Sequence, residues 1–129
     1  MNGPAAAGPA TMHKESRLRK SKDFALVYRE GRRRADRRLV VIARRNGLPA
    51  TRFGFVTSKR LGNAVIRNKT KRRLREAARL SGAEAGWDVV TIARNRAPEA
   101  DFCSLRTSLH RLMSGAGVSM SDAPGRSEP

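Results

Sequence analysis

The sequence predicts a single domain of the α+β class, with helices packed on one small sheet. Three observations support this class. Segments rich in β-branched and aromatic residues alternate with segments whose apolar residues recur at helical spacing. Hydrophobic residues make up 39% of the 129 residues, which is enough for one modest core. Turn residues separate the segments, and the predicted order is α-β-β-α-β-α with room for a further short strand at 31–38.

The first helix is predicted in "SKDFALVYREG", residues 21–31. Ser21 is suited to the N-cap, and Gly31 is a common helix stop. Side chains for one face of the helix recur at helical spacing: Phe24, Val27 and Tyr28.

Two strands follow, in "RLVVIARR" (38–45) and "RFGFVTS" (52–58). The first is rich in β-branched residues. In the second, Phe53, Phe55 and Thr57 alternate with Gly54, Val56 and Ser58, as the two faces of a strand do. Because "NGLPA" (46–50) between them supplies turn residues, we expect the two strands to form an antiparallel pair.

The rest of the patterned region contains a basic helix at 64–80, a strand at 87–95 and a closing helix at 101–113. The closing helix has Asp101 as its predicted cap and an apolar face made of Phe102, Leu105, Leu109 and Leu112. Cys103 is expected to be a small buried residue.

The two ends have the composition of disordered segments. Residues 1–13 are mainly Ala, Gly and Pro, and residues 114–129 are small, polar and proline-containing. The sequence therefore predicts a disordered N-terminal extension at 1–13, a domain at 14–113 and a disordered C-terminal tail at 114–129.

Positive charge is concentrated in the first two-thirds of the chain. The formal net charge is +17, and residues 1–79 hold 23 of the 28 Lys and Arg but only five of the eleven acids. Such a field predicts a polyanionic partner, either nucleic acid or, less commonly, an anionic membrane surface.

The basic helix divides into two sides at 100° per residue. The apolar side holds Ile66, Thr70, Leu74, Ala77 and Leu80, and the opposite side holds Asn68, Lys71, Arg72, Arg75 and Arg79. Arginine can fork onto phosphate oxygens, so the second side suits a nucleic-acid backbone. A solvated face held by ion pairs is the alternative, but it requires acids among the bases, and Glu76 is the only acid in this helix.

The stretch "SKRLGNAVIRNKTKRRLREA" (58–77) closely resembles the signature of the bacterial ribonuclease P protein component. The resemblance continues in "RLRKSKDFALVYREGRR" (17–33) and "WDVVTIAR" (87–94), and it covers roughly residues 14–113. Lys69 stands where the family more often has an arginine, which keeps the charge but loses the bidentate fork.

The resemblance implies a four-stranded sheet with three helices in the order α-β-β-β-α-β-α. This is a ribosomal protein S5 domain 2-like fold with a left-handed βαβ crossover. It also implies a function, which is to assist a catalytic RNA that removes the 5′ leader from precursor tRNA. The residues that it assigns to the catalytic RNA are Lys59, Arg60, Asn63, Arg67, Asn68, Lys69, Lys71, Arg72 and Arg75.

The same resemblance implies a cleft for the single-stranded leader between the first helix and the sheet. Bases of single-stranded RNA stack on aromatic rings. The residues assigned to the leader are Phe24, Tyr28, Arg32 and Arg33. Packing of both rings in the core is the alternative reading. Ile42 stands where family members often have a further aromatic residue, so we expect weaker stacking there. The arginines of 32–38 extend the RNA-facing surface or form a solvated loop.

The spacing of acids, histidines and the one cysteine predicts no active site and no metal site in the chain. A nuclease that uses Mg²⁺ needs clustered carboxylates, and those of the basic region are scattered. The resemblance agrees, because it assigns bond cleavage to the RNA. Mg²⁺ is therefore expected as a requirement of the RNA-based activity.

Other classes of function are compatible with parts of the sequence. A structural RNA-binding protein of the ribosomal type, without a processing role, is the main alternative. A DNA-binding protein is disfavoured because no helix-turn-helix spacing is seen. A membrane-surface helix is disfavoured because the apolar stripe contains Thr and Ala. The single Cys103 and the lack of a long apolar run predict a cytoplasmic protein.

Overall fold

The computed structural model describes residues 17–120 of the chain. Its helices and strands follow the predicted α-β-β-β-α-β-α order, and the α+β class is confirmed. The elements are α1 (Ser21–Glu30), β1 (Arg32–Ala35), β2 (Leu39–Arg45), β3 (Arg52–Val56), α2 (Ala64–Arg79), β4 (Trp87–Ala93) and α3 (Phe102–Gly115). The short strand for which the sequence left room is β1.

The four strands form one mixed sheet in the order β1-β2-β4-β3. β2 pairs antiparallel with β1 and with β4, whereas β3 pairs parallel with β4. The predicted antiparallel pairing of the strands at 38–45 and 52–58 is therefore wrong, because β4 lies between them. Nearly every residue of β4 is buried, so this strand belongs in the middle of the sheet, covered on both faces. The left-handed crossover through α2 stays a prediction.

The larger core lies between the sheet and the pair α2 and α3. Leu39, Val41 and Val89 of the sheet are fully buried there, together with Leu74 of α2 and Leu105 of α3. The predicted apolar face of the closing helix is confirmed for Leu105, Leu109 and Leu112.

Cys103 is exposed, so the prediction that it is buried is wrong. It precedes Leu105 by two residues, and a separation of two residues places side chains on opposite sides of a helix. Since Leu105 points into the core, Cys103 faces outward.

The folded region extends past the predicted boundary at residue 113. Gly117 has a positive φ of 102°. Its N–H donates to the carbonyl of Ser114, and the N–H of Val118 donates to that of Met113. This pair of bonds is the Schellman motif that closes a helix, and the buried Val118 completes it with an apolar contact. Residues 114–120 therefore belong to the domain. The segments at 1–16 and 121–129 lie outside the described residues.

The predicted cap of α3 is confirmed, and α2 has a side-chain cap as well. The Asn63 side chain accepts from the Ile66 N–H, and that of Asp101 accepts from the Ser104 N–H. Ser21 is not the N-cap of α1, because Lys20 occupies that position without a side-chain bond.

Candidate nucleic-acid interface

The face of the sheet opposite the larger core is built from three rows of side chains that run across the strands. Alternation along each strand and the observed registers define the rows. The open row is Val56, Ile92, Val40 and Ala35. The covered row is Gly54, Val90, Ile42 and Arg33. The ionic row is Arg52, Asp88 and Arg44.

Helix α1 packs over the covered row. Val27 of α1 is fully buried there, together with Ile42 and Val90. A Cβ at Gly54 would lie 2.6 Å from the ring of Phe24, so this glycine makes room for the aromatic ring. The close contact fixes Phe24 against β3.

The ionic row holds both ends of α1. Arg52 donates to the two oxygens of the buried Asp88, at 2.8 and 2.7 Å, and lies 3.6 Å from Asp23 in the first turn of α1. At the other end, Arg44 donates to Glu30 at 2.8 Å. The bond to Asp88 raises the pKa of Arg52, and the bond from Arg44 lowers the pKa of Glu30.

The open row is left only partly covered. Val56 and Ile92 are partly exposed, as is the adjacent Phe24. Tyr28 is 47% exposed, and its ring centroid lies 6.5 Å from that of Phe24, with the rings inclined at 45°. The row and these two rings form a strip of accessible apolar and aromatic surface beside α1, which we call the aromatic strip.

Strand β1 separates two of the predicted leader residues. Arg33 pairs with Ile42 and lies on the face of the aromatic strip. Arg32 lies on the opposite face, where its guanidinium is 4.0 Å from the position that a Cβ on Gly117 would take. The structure therefore does not bring Arg32 together with Phe24 and Tyr28, because neighbouring residues of a strand point to opposite faces.

Ile42 is almost fully buried. It lies directly under the backbone of Gly31, where a Cβ would come within 2.6 Å of its side chain. It offers no surface for stacking, in keeping with the expectation of a weaker contact at this position.

The turn before α2 begins three residues after Val56 of the open row. Lys59 and Arg60 are exposed in a short 3-10 turn, Lys59–Leu61, which leads into Gly62 and the Asn63 cap. Gly62 has a φ of 143°, a value that favours glycine. The sheet thus brings the start of the signature next to the aromatic strip, although Phe24 and Tyr28 are far from the signature in sequence.

Helix α2 buries Thr70, Leu74, Ala77 and Ala78, so the predicted apolar side is confirmed in its middle. The prediction is wrong at the start of that side, because Ile66 is 37% exposed and lies over Gly62 rather than in the core. On the other sides, Asn68, Lys69 and Arg72 are exposed, and Arg67, Lys71 and Arg75 are partly buried.

Most cations of α2 and of the turn before it have no partner in the described part of the protein. Within residues 17–120, the side chains of Lys59, Arg60, Arg67, Lys69, Lys71, Arg72 and Arg75 form no hydrogen bond or ion pair. The Nε of Arg67 is buried and still lacks an acceptor. By contrast, several arginines elsewhere pair with acids, as Arg45 does with Glu84 and Arg111 with Asp36. We call the seven unpaired cations the cation stripe.

Two cations of α2 do not belong to the stripe. Arg73 donates to the carbonyl of Ala100, and Arg79 pairs with Glu76. The sequence placed Arg79 on the same side as Lys71 and Arg75 and could not show that this acid holds it. The ion pair lowers the pKa of Glu76 and raises that of Arg79.

The part of the chain that the structure describes contains no group of three or more His, Cys, Asp or Glu side chains placed to hold a metal ion. In the same residues, no helix is long and apolar enough to cross a membrane.

Sequence reasoning missed the ionic row. The partner of Asp23 is Arg52 on β3, which also binds Asp88 on β4, and both residues lie far along the chain from α1. No spacing along the sequence links these residues. Only the register of Arg52 against Asp88 brings them together.

Comparisons with known proteins agree with one another. The family model described as Ribonuclease P matches residues 12–117. A ribonuclease P protein component of Caldanaerobacter subterraneus is 40% identical over 102 residues, which cover 78% of this chain and 88% of that one. The same component of Symbiobacterium thermophilum is 41% identical over 111 residues, covering 83% and 96%.

Solved structures show the same likeness. A Staphylococcus aureus RNase P protein, a mutant with defective mRNA degradation activity, has a TM-score of 0.76 at 36% identity and covers 82% of this chain and 92% of its own. The RNase P protein from Thermotoga maritima has a TM-score of 0.68 at 34% identity, covering 77% and 96%.

Proposed function

Because the chain belongs to the family of bacterial ribonuclease P protein components, we propose that it binds precursor tRNA as well as the RNA of its own complex. Membership makes it the protein subunit of ribonuclease P, an RNA-processing endoribonuclease complex, and makes the RNA of that complex its partner. Membership in this family favours a role in ribonuclease P over the role of a ribosomal-type RNA-binding protein that takes no part in processing.

One observation supports the assignment of the RNA interface to particular residues, and it is the cation stripe. Cations that have no acid nearby repel one another in the free protein. Bound phosphates reduce this repulsion. Asn63 and Asn68 lie along the stripe and can donate to phosphate or sugar oxygens. We assign this surface to the RNA of ribonuclease P.

The aromatic strip is assigned to the 5′ leader of precursor tRNA. It offers an exposed tyrosine ring and partly exposed apolar side chains, with Arg33 on the same face, which suits a single strand of unstacked bases. The strip adjoins the start of the cation stripe. A protein bound to the RNA through the stripe can therefore hold the leader beside it.

We assign cleavage of the bond to the RNA rather than to this chain. The Asp and Glu side chains in residues 17–120 form ion pairs and hydrogen bonds with the protein, and in this range they form no group of three or more that could hold a metal ion. The Mg²⁺ that the activity requires is then bound by RNA phosphates. A cytoplasmic location stays a prediction.

Salt dependence of RNA binding tests the assignment of the stripe. The logarithm of affinity falls linearly with the logarithm of salt concentration, with a slope of roughly one per neutralised phosphate. Changing Arg67, Lys71 and Arg75 together to Ala should reduce this slope by about three. A control variant with Arg45, Arg96 and Arg111 changed to Ala loses the same charge from cations that are paired with acids.

The control variant should keep most of the slope. An equal reduction in both variants would mean that only the overall field matters, and an unchanged slope in the stripe variant would remove the stripe from the interface. Circular dichroism of both variants shows whether they remain folded.

A further inference from the structure

Three arginines from two separate parts of the chain come together at the outer edge of the sheet. Arg17 precedes α1 and forms a parallel bridge to Phe53 of β3, where the Leu18 N–H donates to the Phe53 carbonyl at 2.9 Å. β3 is an edge strand, and α2 packs against it. Arg72 and Arg75 are three residues apart on α2 and therefore neighbours on its surface.

Arg17 pairs with Phe53, whose side chain lies in the core that α2 covers, so the Arg17 side chain lies on the same face of the sheet as α2. The electrostatics of Arg75 agree with this placement. Burial lowers the pKa of Arg75, and the guanidinium groups of Arg17 and then Arg72 lower it further. A guanidinium remains charged under all ordinary conditions. Three positive charges are therefore held near one another, one of them partly withdrawn from water.

No acid in residues 17–120 balances this cluster. Each Asp and Glu there already has another partner, from Asp23 and Asp88 on Arg52 to Glu76 on Arg79. The same side of α2 also holds Arg67, two turns before Arg75, whose Nε is buried without an acceptor. The Arg67 Nε thus lacks the acceptor that a buried polar group normally has, and the partly buried Arg75 also has no hydrogen-bond partner in residues 17–120.

We propose that Arg17, Arg72 and Arg75 together bind one phosphate group of the RNA of ribonuclease P. The segment before α1 then belongs to the RNA interface, although it lies outside the signature. A phosphate offers several oxygens, and arginine donates to them through a planar fork, so guanidinium groups that converge from two elements can share one anion. This inference rests on the proposed function of α2.

Replacing one arginine of the cluster should have two opposite effects. Losing a charged hydrogen-bond donor should weaken binding to the RNA about tenfold. Removing one of three like charges should leave the free protein as stable as before, or more stable. A residue with a purely structural role would lower stability, so the combination distinguishes the two roles.

The experiment compares Arg17→Gln, Arg75→Gln and the double variant. RNA affinity is measured with the RNA of ribonuclease P alone, and stability by thermal unfolding of the free protein. If both arginines hold the same phosphate, the double variant should lose less affinity than the product of the two single losses. Arg19→Gln is the matched control, because Arg19 is exposed two residues away and removes the same charge.

The proposal is overturned if Arg17→Gln binds the RNA as Arg19→Gln does, if the two losses multiply independently, or if Arg17→Gln destabilises the free protein. A loss seen only with precursor tRNA would also overturn it. Lys71→Gln separates this failure from a failure of the proposed function. If Lys71→Gln weakens binding and Arg17→Gln does not, only the cluster is refuted. If neither weakens binding, the whole face of α2 is not an RNA interface.

Discussion

Replacing Tyr28 by leucine tests whether the aromatic strip binds the leader. Tyr28 is 47% exposed, and its ring contacts Phe24 at a centroid distance of 6.5 Å. Leucine keeps apolar volume over the helix while removing the flat ring. Because the site is exposed, the free energy of unfolding should change by no more than about 0.5 kcal/mol.

The expected loss in binding follows from the energy of stacking. A base stacked on an aromatic ring is worth about 1–3 kcal/mol, which corresponds to roughly a 5- to 150-fold change in affinity. The affinity of the complex for precursor tRNA with a long leader should fall by a factor in this range. Precursor with a leader too short to reach the strip should bind with unchanged affinity, as should mature tRNA.

Tyr28→Phe is the matched control, since it keeps the ring and removes the hydroxyl. It should bind all three RNAs as the original protein does. Phe24 is a poorer probe, because its ring packs on Gly54 and its removal disturbs the contact between α1 and β3. Equal affinities for Tyr28→Leu and the original protein on long leaders would refute the leader assignment. Parallel losses on all three RNAs would indicate a general RNA surface instead.

The remaining predictions concern stability and chemistry. Val118→Ala should lower the free energy of unfolding by about 2 kcal/mol in urea titrations, because it removes buried apolar volume, whereas the exposed Ser114→Ala should not. Burial lowers the pKa of His110 below 6.5, so the unfolded chain binds more protons than the folded one at mildly acid pH. Stability should therefore fall as the pH decreases through about 6.5, and His110→Gln should lack this dependence. No single replacement of an Asp, Glu or His in a protein that still folds should abolish cleavage by the reconstituted complex at high Mg²⁺, as a gel assay of precursor tRNA can show.

The sequence was sufficient to predict the elements but not their arrangement in the sheet. Local patterns decide whether a segment is helical or extended, and the predicted helix at 64–80 and strand at 87–95 both formed close to their expected bounds. Pairing depends on contacts between distant segments. The turn residues at 46–50 suggested a hairpin, but the greater burial of β4 placed that strand next to β2.

The C-terminal boundary was missed for a related reason. The stretch from 114 to 120 consists of small and polar residues, which resemble a tail in composition. Its glycine at 117 is required by the positive φ of a helix terminus, and a few apolar residues, chiefly Ala116 and Val118, anchor it in the core. Composition averages over such a segment and hides the few contacts that order it.

The candidate site could be predicted in its residue types and only partly in its geometry. The motif located the basic helix, but the pattern alone could not show which cations are held by acids. Arg79 and Arg72 are both arginines on the polar side of α2, yet Glu76 holds Arg79, whereas Arg72 pairs with no acid among the residues that the structure describes. Likewise, Arg32 and Arg33 are adjacent in sequence and lie on opposite faces of the sheet.

The distribution of acids explains how so basic a chain can both fold and bind RNA. Acids are placed where cations must hold elements together, as when Asp88 fixes Arg52 and Glu30 fixes Arg44 at the two ends of α1. Within residues 17–120, no acid pairs with the cations where α2 meets the N-terminal segment, and there repulsion opposes folding. If the RNA supplies the missing negative charge, the same side chains that destabilise the free protein stabilise the complex. In the cation stripe, the loss of a positive charge should then lower the affinity for RNA and raise the stability of the free chain. In the ionic row, the loss of a charge should lower the stability of the free protein.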